Sequence, residues 1–280
     1  QKIMSLLTSN LLERYFVINN YTDTIDVNYA NTVEIQPNAF ECCRNRTIRS
    51  LFIRILKDGK KKHQITICED HSSLFEPLKE NLEELNLACL FDCEFNFLQH
   101  LQHLKKLSLS YSIFWHNPVY NGSNNQLVHL DQSDSDLIIS DNTMFNDLKC
   151  LKHLDLSKAE LAKNVLPNLF SELKQLDTLK LIHTELTVAE DAFIYLANLK
   201  ELHFVGIEIP KKCSNIFAPL KSLQKLEMGE TKTLNYNAFR QVNDLRQLKL
   251  SNYSTIEIDK NFFDQHPNLE SLDISQLKSL

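Results

Sequence analysis

Leucine recurs along this sequence at a nearly fixed spacing, and that recurrence limits what the chain can fold into. In residues 151–173 the pattern LxxLxL is supplied by Leu151, Leu154 and Leu156. The same pattern begins nine times, at starts 22 to 25 residues apart: Leu82, Leu104, Leu127, Leu151, Leu176, Leu199, Leu223, Leu245 and Leu269. A compact domain without internal repetition does not produce such regularity.

This period and pattern are typical of a leucine-rich repeat. Each unit forms one short strand whose leucines point inward, and because no unit can bury them alone, neighbouring units stack. The predicted fold is therefore α/β, a leucine-rich repeat solenoid (a horseshoe) with a parallel sheet on the concave side and short helices or loops on the convex side. A phenylalanine six residues before a leucine start predicts a buried spine: Phe145, Phe170, Phe193, Phe217, Phe239 and Phe263.

The repeats divide the chain into two predicted regions. Residues 82–280 carry regular repeats, whereas residues 1–81 are a cap-like region with irregular repeats. Alternating isoleucines on both sides of Asp58-Gly59 predict a hairpin insertion near residues 53–67. Its lysine-rich tip is either a solvated turn that protects a sheet edge or a protrusion that binds a partner. The last repeat stops half finished, so we expect a longer parent chain.

The ninth position of each repeat departs from the usual pattern. An asparagine there commonly forms a hydrogen-bonded ladder, but none is present here: the position holds Leu90, Ser112, Ser135, Ala159, Thr184, Ile207, Thr231, Tyr253 and Leu277. Buried backbone groups at these turns need other partners or water. We therefore expect irregular curvature and hydrated turns.

Composition and motifs exclude several function classes. The net charge of −6 gives no general attraction to nucleic acid or anionic lipid. Only four glycines are present, and they do not form a phosphate-binding glycine-rich loop. No G-x-S-x-G or H-E-x-x-H motif occurs either. No apolar run approaches the ~18 residues of a membrane span. We expect neither an enzyme nor a bound cofactor, and membrane attachment only through a segment outside this chain.

Cysteines and glycosylation sequons both suggest secretion. The disulfide candidates, for which buried free thiols are the alternative, are Cys42, Cys43, Cys68, Cys89 and Cys93. No C-x2-C pair is present, so structural zinc is not expected. The four N-x-[ST] sequons begin at Asn20, Asn45, Asn121 and Asn252.

Side chains at repeat positions 2, 3, 5, 7 and 8 are predicted to face solvent on the strand side. His129, Asp131, His153 and Asp155 then lie on neighbouring strands and could hold a divalent metal, although a solvated polar face explains them as well. With His183 and His203 they could instead form a protein-binding or pH-responsive patch.

Exposed aromatic residues are scarce on the predicted concave face. Tyr111 is the clearest, with Ile182 and Val205 as apolar exceptions. Trp115, in an Asn-rich loop, is either a core residue or an exposed anchor beside the Asn121 sequon. A ligand site is therefore expected on the N-terminal concave region, the hairpin or the lateral loops, with Tyr111, Trp115 and the four histidines named above as candidate contacts.

The period, the spine phenylalanines and segments such as PNAF, EDAF and NYNAF resemble extracellular leucine-rich repeat proteins of animals. The diverged, insertion-bearing N-terminal half resembles the ectodomain of an insect or other invertebrate Toll-type receptor, over residues 22–280. The resemblance implies binding of a secreted, cytokine-like protein ligand, pairing with another receptor copy, an extracellular location, and roles in innate immunity or development. The alternatives are a soluble secreted immune or adhesion factor and, third, a cytosolic repeat scaffold.

Overall fold

A computed structural model describes the chain in sixteen stretches, which together form two compact units. The described residues are 5–8, 11–12, 23–29, 32–55, 64–67, 73–91, 95–114, 118–137, 143–159, 168–184, 189–207, 209–210, 213, 215–230, 240–252 and 262–274. Gln1–Leu137 form unit 1 and Ile138–Leu280 form unit 2. This boundary differs from the one predicted after residue 81, and the onset of regular repeats at residue 82 stays a prediction.

Unit 1 contains two parallel sheets. The strands are β1 (Ser5–Leu7), β2 (Thr24–Tyr29), β3 (Val33–Ile35), β4 (Ser50–Ile55), β5 (Ile65–Ile67), β6 (Glu84–Asn86), β7 (Lys106–Ser108) and β8 (His129–Asp131). The larger sheet has the order β2-β4-β6-β7-β8. The smaller sheet has the order β1-β3-β5 and continues as single bridges through Leu90 and Ile113. A coil of this unit can therefore hydrogen-bond to its neighbour at two places along its backbone, one in each sheet.

The predicted hairpin at residues 53–67 is wrong. Strand β4 pairs in parallel with β2 and β6, whereas β5 pairs in parallel with β3 in the other sheet. The isoleucines alternate because each strand buries one face, not because the two strands pair with each other. The basic tip, residues 57–62, lies outside the described residues.

Unit 2 contains one parallel sheet in strict leucine register. Its strands are β9 (His153–Asp155), β10 (Thr178–Lys180), β11 (Glu201–Val205), β12 (Lys225–Gly229), β13 (Gln247–Ser251) and β14 (Ser271–Asp273). Leu154, Leu179 and Leu202 are Cα partners across three strands, and each is at most 1% exposed. The prediction of stacked coils with a shared leucine interior and a parallel sheet is confirmed.

The connections on the far side of the core are short, as predicted. Among the described residues they are mostly turns, with 3-10 helices at Glu41–Cys43, Glu76–Leu78, Phe95–His100 and Gly122–Asn124 and a short α-helix, α1, at Phe262–Gln265. Four predicted spine phenylalanines are buried: Phe145, Phe170, Phe193 and Phe217. Phe239 lies outside the described residues. Phe263 is 57% exposed and Phe262 is buried in its place, so that assignment is wrong by one residue.

A left-handed residue ends most of the described strands of the two larger sheets. At repeat position 8, φ lies between +52° and +78° in Cys89, Tyr111, Asp134, Lys158, His183, Gly206, Glu230 and Asn252. In six of these eight residues the N–H donates to the carbonyl at position 7 of the next repeat, for example from Lys158 to Ile182 at 2.7 Å. The bend thus adds one more inter-repeat hydrogen bond.

Hydroxyl groups replace part of the missing asparagine ladder. Ser112, Ser135 and Thr184 occupy position 9, and all three are buried. Ser112 Oγ accepts from the N–H of Leu90 at 3.0 Å, and Thr184 Oγ1 donates to the carbonyl of Leu156 at 3.0 Å. Backbone groups at these turns therefore find side-chain partners, and the expected hydration of the remaining turns stays a prediction.

Candidate functional site

The strand face of unit 1 contains a shallow depression of about 280 Å³. Positions 3 and 5 of three neighbouring strands line it, and between them lie Leu85 and Leu107, whose side chains are buried in the core. The polar lining residues are Glu84, Asn86, Lys106, Ser108, His129 and Asp131. The depression lies on the N-terminal strand face, which is one of the places where the sequence predicted a ligand site.

Hydrogen bonds hold part of this lining in place. Asp131 accepts from Ser108 Oγ at 3.0 Å, and from the N–H and Oγ of Ser133 at 3.0 Å and 2.7 Å. Asn86 Oδ1 accepts from the N–H of Ala88 at 3.1 Å. Asp131 and Asn86, at position 5, each accept a hydrogen bond from the backbone N–H two residues later, just past the end of the strand. These side chains therefore keep their orientation without a ligand. Such pre-ordering lowers the entropy cost of binding.

A phenylalanine and an arginine stand beside the depression. Phe52 of β4 is the Cα partner of Asn86, and Arg54 Cζ lies 5.2 Å from the centroid of the Phe52 ring. The Arg54 guanidinium also pairs with Asp26 of β2. Aromatic and arginine side chains are the residues on which binding energy usually concentrates.

Phe52 was not among the predicted contacts, although its repeat position is readable from the sequence. Counted from Ile48 as position 1, Leu51 occupies position 4 and Phe52 position 5, which faces solvent. The irregular length of this unit hid the register. Val205 shows the opposite error, because it is only 5% exposed where the pattern expected an exposed side chain.

The strand face of unit 2 is organised around His203. Its Nδ1 lies 2.7 Å from Glu227 Oε2 and its Nε2 lies 2.7 Å from Glu201 Oε1. Both ring nitrogens therefore lie within hydrogen-bond distance of a carboxylate oxygen. The candidate ligand contact His203 is thus held by the protein's own carboxylates, and its side chain is only 12% exposed.

Lysines complete this ion-pair cluster. Lys225 Nζ reaches Glu201 and Lys249 Nζ reaches Glu227, at 2.5 Å and 2.6 Å. Burial raises the pKa of both glutamates, but hydrogen bonds from the lysines and from His203 outweigh it and leave each pKa below its ordinary value. A partner docking here would have to disrupt paired charges, which is unfavourable. This cluster therefore favours stability of unit 2 over ligand binding.

The remaining candidate contacts are dispersed. Tyr111 is 44% exposed at the left-handed turn after β7. His153 lies half-buried on β9. His183 lies at a turn, not on a strand, and its Nε2 is 3.3 Å from Glu230 Oε2. Trp115 lies outside the described residues, so the two interpretations of its role stay open.

The four proposed metal ligands are divided between the units. His129 and Asp131 belong to unit 1, and His153 and Asp155 to unit 2. Asp155 accepts from the N–H of Ser157 at 3.0 Å and pairs with Lys180 at 3.2 Å, which gives this carboxylate a structural role. Across the described residues, no group of three or more His, Cys, Asp or Glu side chains is arranged to hold a metal ion.

The candidate disulfides remain predictions. Cys42 and Cys43 have sulfur atoms 3.8 Å apart, so they are not bonded to each other, and burial followed by the neighbouring Cys42 raises the pKa of Cys43. Cys89 is buried. Cys68 and Cys93 lie outside the described residues.

The sequons differ in accessibility. Asn45, Arg46 and Thr47 are all exposed. Asn121 and Asn252 are half-buried, and Asn252 Nδ2 donates to Glu230 Oε1 at 3.4 Å. Asn20 lies outside the described residues. In the part of the chain that the structure describes, no helix has the length and apolar character needed to cross a bilayer.

Sequence comparison supports a repeat family over the C-terminal part. A family model described as a BspA type leucine rich repeat region, in six copies, matches residues 208–280. No curated protein matches the chain significantly.

Solved structures show the fold over most of the chain. An internalin (inlF) from Listeria monocytogenes has a TM-score of 0.64 at 17% identity, covering 96% of this chain and 82% of its own. Toll in the Drosophila Toll–Spatzle complex scores 0.60 at 13% identity, covering 90% of this chain and 40% of its own. A TLR13–ssRNA13 complex scores 0.58 at 21% identity, with 89% and 40% covered. The chain thus spans two fifths of the Toll and TLR13 chains and has the leucine-rich repeat solenoid fold.

Proposed function

From the leucine-rich repeat solenoid fold, we propose that this chain is a protein-binding part of an extracellular Toll-type receptor. Its ligand is a secreted protein that docks on the strand face of unit 1. The observation that carries the proposal is the depression of about 280 Å³ with Phe52 and Arg54 beside it. No comparable combination of a recess, an aromatic ring and an arginine occurs on the described strand face of unit 2.

The chemistry of this surface favours a protein ligand. Phe52 offers apolar area, and Arg54 is held over it by Asp26 with 45% of its side chain exposed. The depression can receive one side chain of a partner between an ammonium, an imidazole and two carboxylates. A mixture of both charges suits the varied surface of a protein, whereas a nucleic acid requires a surplus of cations.

The receptor assignment is supported by the likeness in fold to Toll in its complex with Spatzle. The exposed Asn45 sequon supports an extracellular location, because N-glycans are added in the secretory pathway. The proposed ligand is accordingly secreted, and signalling in immunity or development would follow from its binding.

A second candidate is a secreted or surface-bound adhesion factor. The internalin likeness covers 82% of that structure, and the matching repeat model is of the BspA type. The sequence of the parent chain separates the two candidates. A membrane-spanning segment followed by a cytoplasmic signalling domain supports the receptor, and a repeat array without them supports the adhesion factor.

Charge reversal within the depression tests the binding face. Lys106 is 58% exposed and pairs only loosely with Glu84, at 3.8 Å, so Lys106→Glu should fold normally. The matched control is Lys152→Glu at an exposed lysine of unit 2. Each purified protein is incubated with the proteins secreted by the organism that produces this chain, and the bound proteins are quantified by mass spectrometry.

The expected result is a secreted protein that binds the unmodified chain and Lys152→Glu alike but is lost with Lys106→Glu. The partner is then purified, and Phe52→Ala should raise its dissociation constant at least about tenfold. Equal binding by all of these variants would place the ligand elsewhere.

A further inference from the structure

The edge along which the coils of unit 2 enter their strands is a further accessible surface. Four successive repeats make the same turn there, because the N–H of the first leucine donates to the carbonyl three residues earlier, as from Leu151 to Leu148 at 3.0 Å. Asn198 Nδ2 also donates to the carbonyl of Lys174 at 2.8 Å, which joins the turns of two neighbouring coils. Residues at the same place of this turn therefore lie in rows, about 4.8 Å apart from coil to coil.

Five exposed lysines gather in these rows. Lys149, Lys174 and Lys221 come two residues before the first leucine of their repeats. Lys152 and Lys200 come directly after it. We call these five residues the lysine edge. From its first to its last lysine it covers three coil spacings, or about 14 Å. A strip of positive charge thus runs across the coils of unit 2.

Most of this charge is not neutralised by the protein itself. Lys200 pairs with Asp177 at 2.9 Å, but the other four lysines of the edge form no ion pair within the described residues. The strand face of the same unit is different, because Lys180, Lys225 and Lys249 each have a carboxylate partner. A chain with a net charge of −6 therefore carries a local surplus of cations here, which attracts anions at short range.

Carboxylates limit the width of the lysine edge. Asp147 and Glu172 are half-buried two residues before the first two of its turn lysines, and Asp244 is exposed in the repeat after the last one. A flat anionic bilayer that touched the lysines would also approach these carboxylates, and like charges repel. A narrow strip instead suits a single linear polyanion that follows the row.

Polar side chains separate the lysines, and no aromatic residue occupies these places in the four described turns. Gln175, Asn198 and Ser222 directly precede the first leucine of their repeats. Proteins bind single-stranded nucleic acids by stacking the bases on aromatic side chains as well as by charge. A sulfated sugar has no base to stack, and its hydroxyl and sulfate oxygens accept hydrogen bonds from ammonium and amide groups. The composition of the edge therefore favours a sugar polymer.

We propose that the lysine edge binds a linear sulfated polysaccharide. Sulfate groups along such a polymer meet successive lysines, and the sugar hydroxyls face the amide and hydroxyl side chains between them. The edge belongs to unit 2, whereas the proposed protein ligand occupies the strand face of unit 1, so either proposal can fail without the other. Such binding concentrates the chain at surfaces that display these polysaccharides.

Retention of the full chain on immobilised heparin, eluted near neutral pH with a sodium chloride gradient, tests the lysine edge. The test variant removes three unpaired cations: Lys149→Gln/Lys174→Gln/Lys221→Gln. The matched control removes three cations of unit 1 that already have carboxylate partners: Arg44→Gln/Lys79→Gln/Lys105→Gln. Both variants change the net charge equally, so a difference between them reports where the charge lies. Because all six side chains are at the surface, both variants should keep the unfolding midpoint of the unmodified chain.

The unmodified chain and the control should elute together, at a salt concentration well above that of the loading buffer. The test variant should elute earlier, with a dissociation constant for heparin at least about tenfold higher at physiological salt. The slope of log K against log salt should also become shallower by about 2, because each lost contact releases ~0.7 fewer counterions from a single-stranded polyanion. Heparin stripped of its sulfate groups should retain none of the three proteins.

An unmodified chain that passes through the heparin column at low salt would overturn the proposal. A test variant that elutes with the control, or equal retention on desulfated heparin, would do the same. An oligothymidylate of the same total charge as the heparin supplies the comparison with nucleic acid. If it binds the unmodified chain more tightly than heparin does, the edge recognises phosphate and the assignment to a polysaccharide is wrong.

Discussion

Gly206 is the one glycine among the left-handed residues at position 8, and His183 lies in the space that its missing side chain leaves. An ideal Cβ on Gly206 would stand 2.5 Å from His183 Nδ1, and φ at this residue is +78°. Across this gap His183 reaches Glu230, two repeats away, at 3.3 Å. The absence of a side chain at one residue thus allows a polar contact that skips a repeat.

Gly206→Ala should therefore destabilise unit 2 by about 1–3 kcal/mol, through overpacking and backbone strain. Urea unfolding measures the change. Gly122→Ala is the matched control, since no heavy atom lies within 4 Å of its added Cβ, and it should stay within about 0.5 kcal/mol. Equal losses in the two variants would contradict the close contact with His183.

Gln132 is a polar residue at a repeat position that is otherwise occupied by a buried apolar side chain. It occupies position 6, where the neighbouring repeats have Leu109 and Leu156, and it is 0% exposed. Within the part of the chain that the structure describes, neither atom of its side-chain amide makes a hydrogen bond of standard geometry, although the amide lies close to the Tyr120 side chain. Gln132→Leu should raise the free energy of unfolding by about 1–2 kcal/mol, while Gln175→Leu at an exposed site should change it little. A loss of stability would instead indicate an ordered water on the amide.

At the scale of elements, the leucine pattern predicted the strands of the regular repeats because inward side chains at positions 1, 4 and 6 leave a period that can be counted. The pattern could not resolve which strands pair with each other, or a shift of one residue in the position of a buried phenylalanine. The alternation around Ile53 and Ile65 is the same whether two strands pair as a hairpin or lie in separate sheets. At Phe262 and Phe263, a four-residue helix replaces the usual turn and brings the earlier ring into the core.

The two phenylalanines of this helix give a direct test of the corrected spine. Phe262 is 3% exposed and contacts His266 with ring centroids 4.8 Å apart, whereas Phe263 is 57% exposed. Phe262→Ala should cost about 3–5 kcal/mol of unfolding free energy, and Phe263→Ala about 1 kcal/mol or less. Thermal and urea unfolding of the two variants would show the reverse order if the sequence-based spine were correct.

The ion-pair cluster on strands β11–β13 makes unit 2 sensitive to acid. The pKa values of Glu201 and Glu227 lie below their ordinary value of 4.5, so folding favours the charged carboxylates. Their stabilisation is fully present above the unfolded-state pKa and is lost as the pH falls through the lower folded-state pKa. Unfolding measured near neutral pH and at about pH 3 should show a larger acid-induced loss in the unmodified chain than in Glu201→Gln/Glu227→Gln. The control Glu80→Gln/Glu190→Gln, at exposed sites, should keep the full loss.

For the whole molecule, the charges cancel locally, and this hid the candidate site from sequence reasoning. The net charge of −6 does not predict the charge of any one surface, because many charges are paired between neighbouring repeats. Examples are Lys105 with Glu83, Lys200 with Asp177 and Arg246 with Glu270. His203 was predicted to be accessible from its repeat position, yet the carboxylates that enclose it come from two strands. The depression likewise requires three strands in register, which residues 82–131 supply only once they are folded. A repeat period gives the side on which a residue lies, but which residues meet depends on the side chains of the next coil.

The compartment in which the molecule works can be tested through one side chain. Asn45 follows the 3-10 helix Glu41–Cys43, and its complete sequon is exposed, so an oligosaccharyl group can be carried there without disturbing the core. Asn252 has a half-buried side chain whose Nδ2, the atom that would carry the glycan, donates to Glu230. Expressed behind a secretion leader in animal cells, the chain should therefore lose mass on glycosidase treatment, and Asn45→Gln should abolish one glycan while Asn252→Gln leaves the mass pattern unchanged. A glycan at Asn252 would show that this turn opens before folding is complete. A chain that is retained in the cell without any glycan would contradict the extracellular assignment, and with it the secreted ligand.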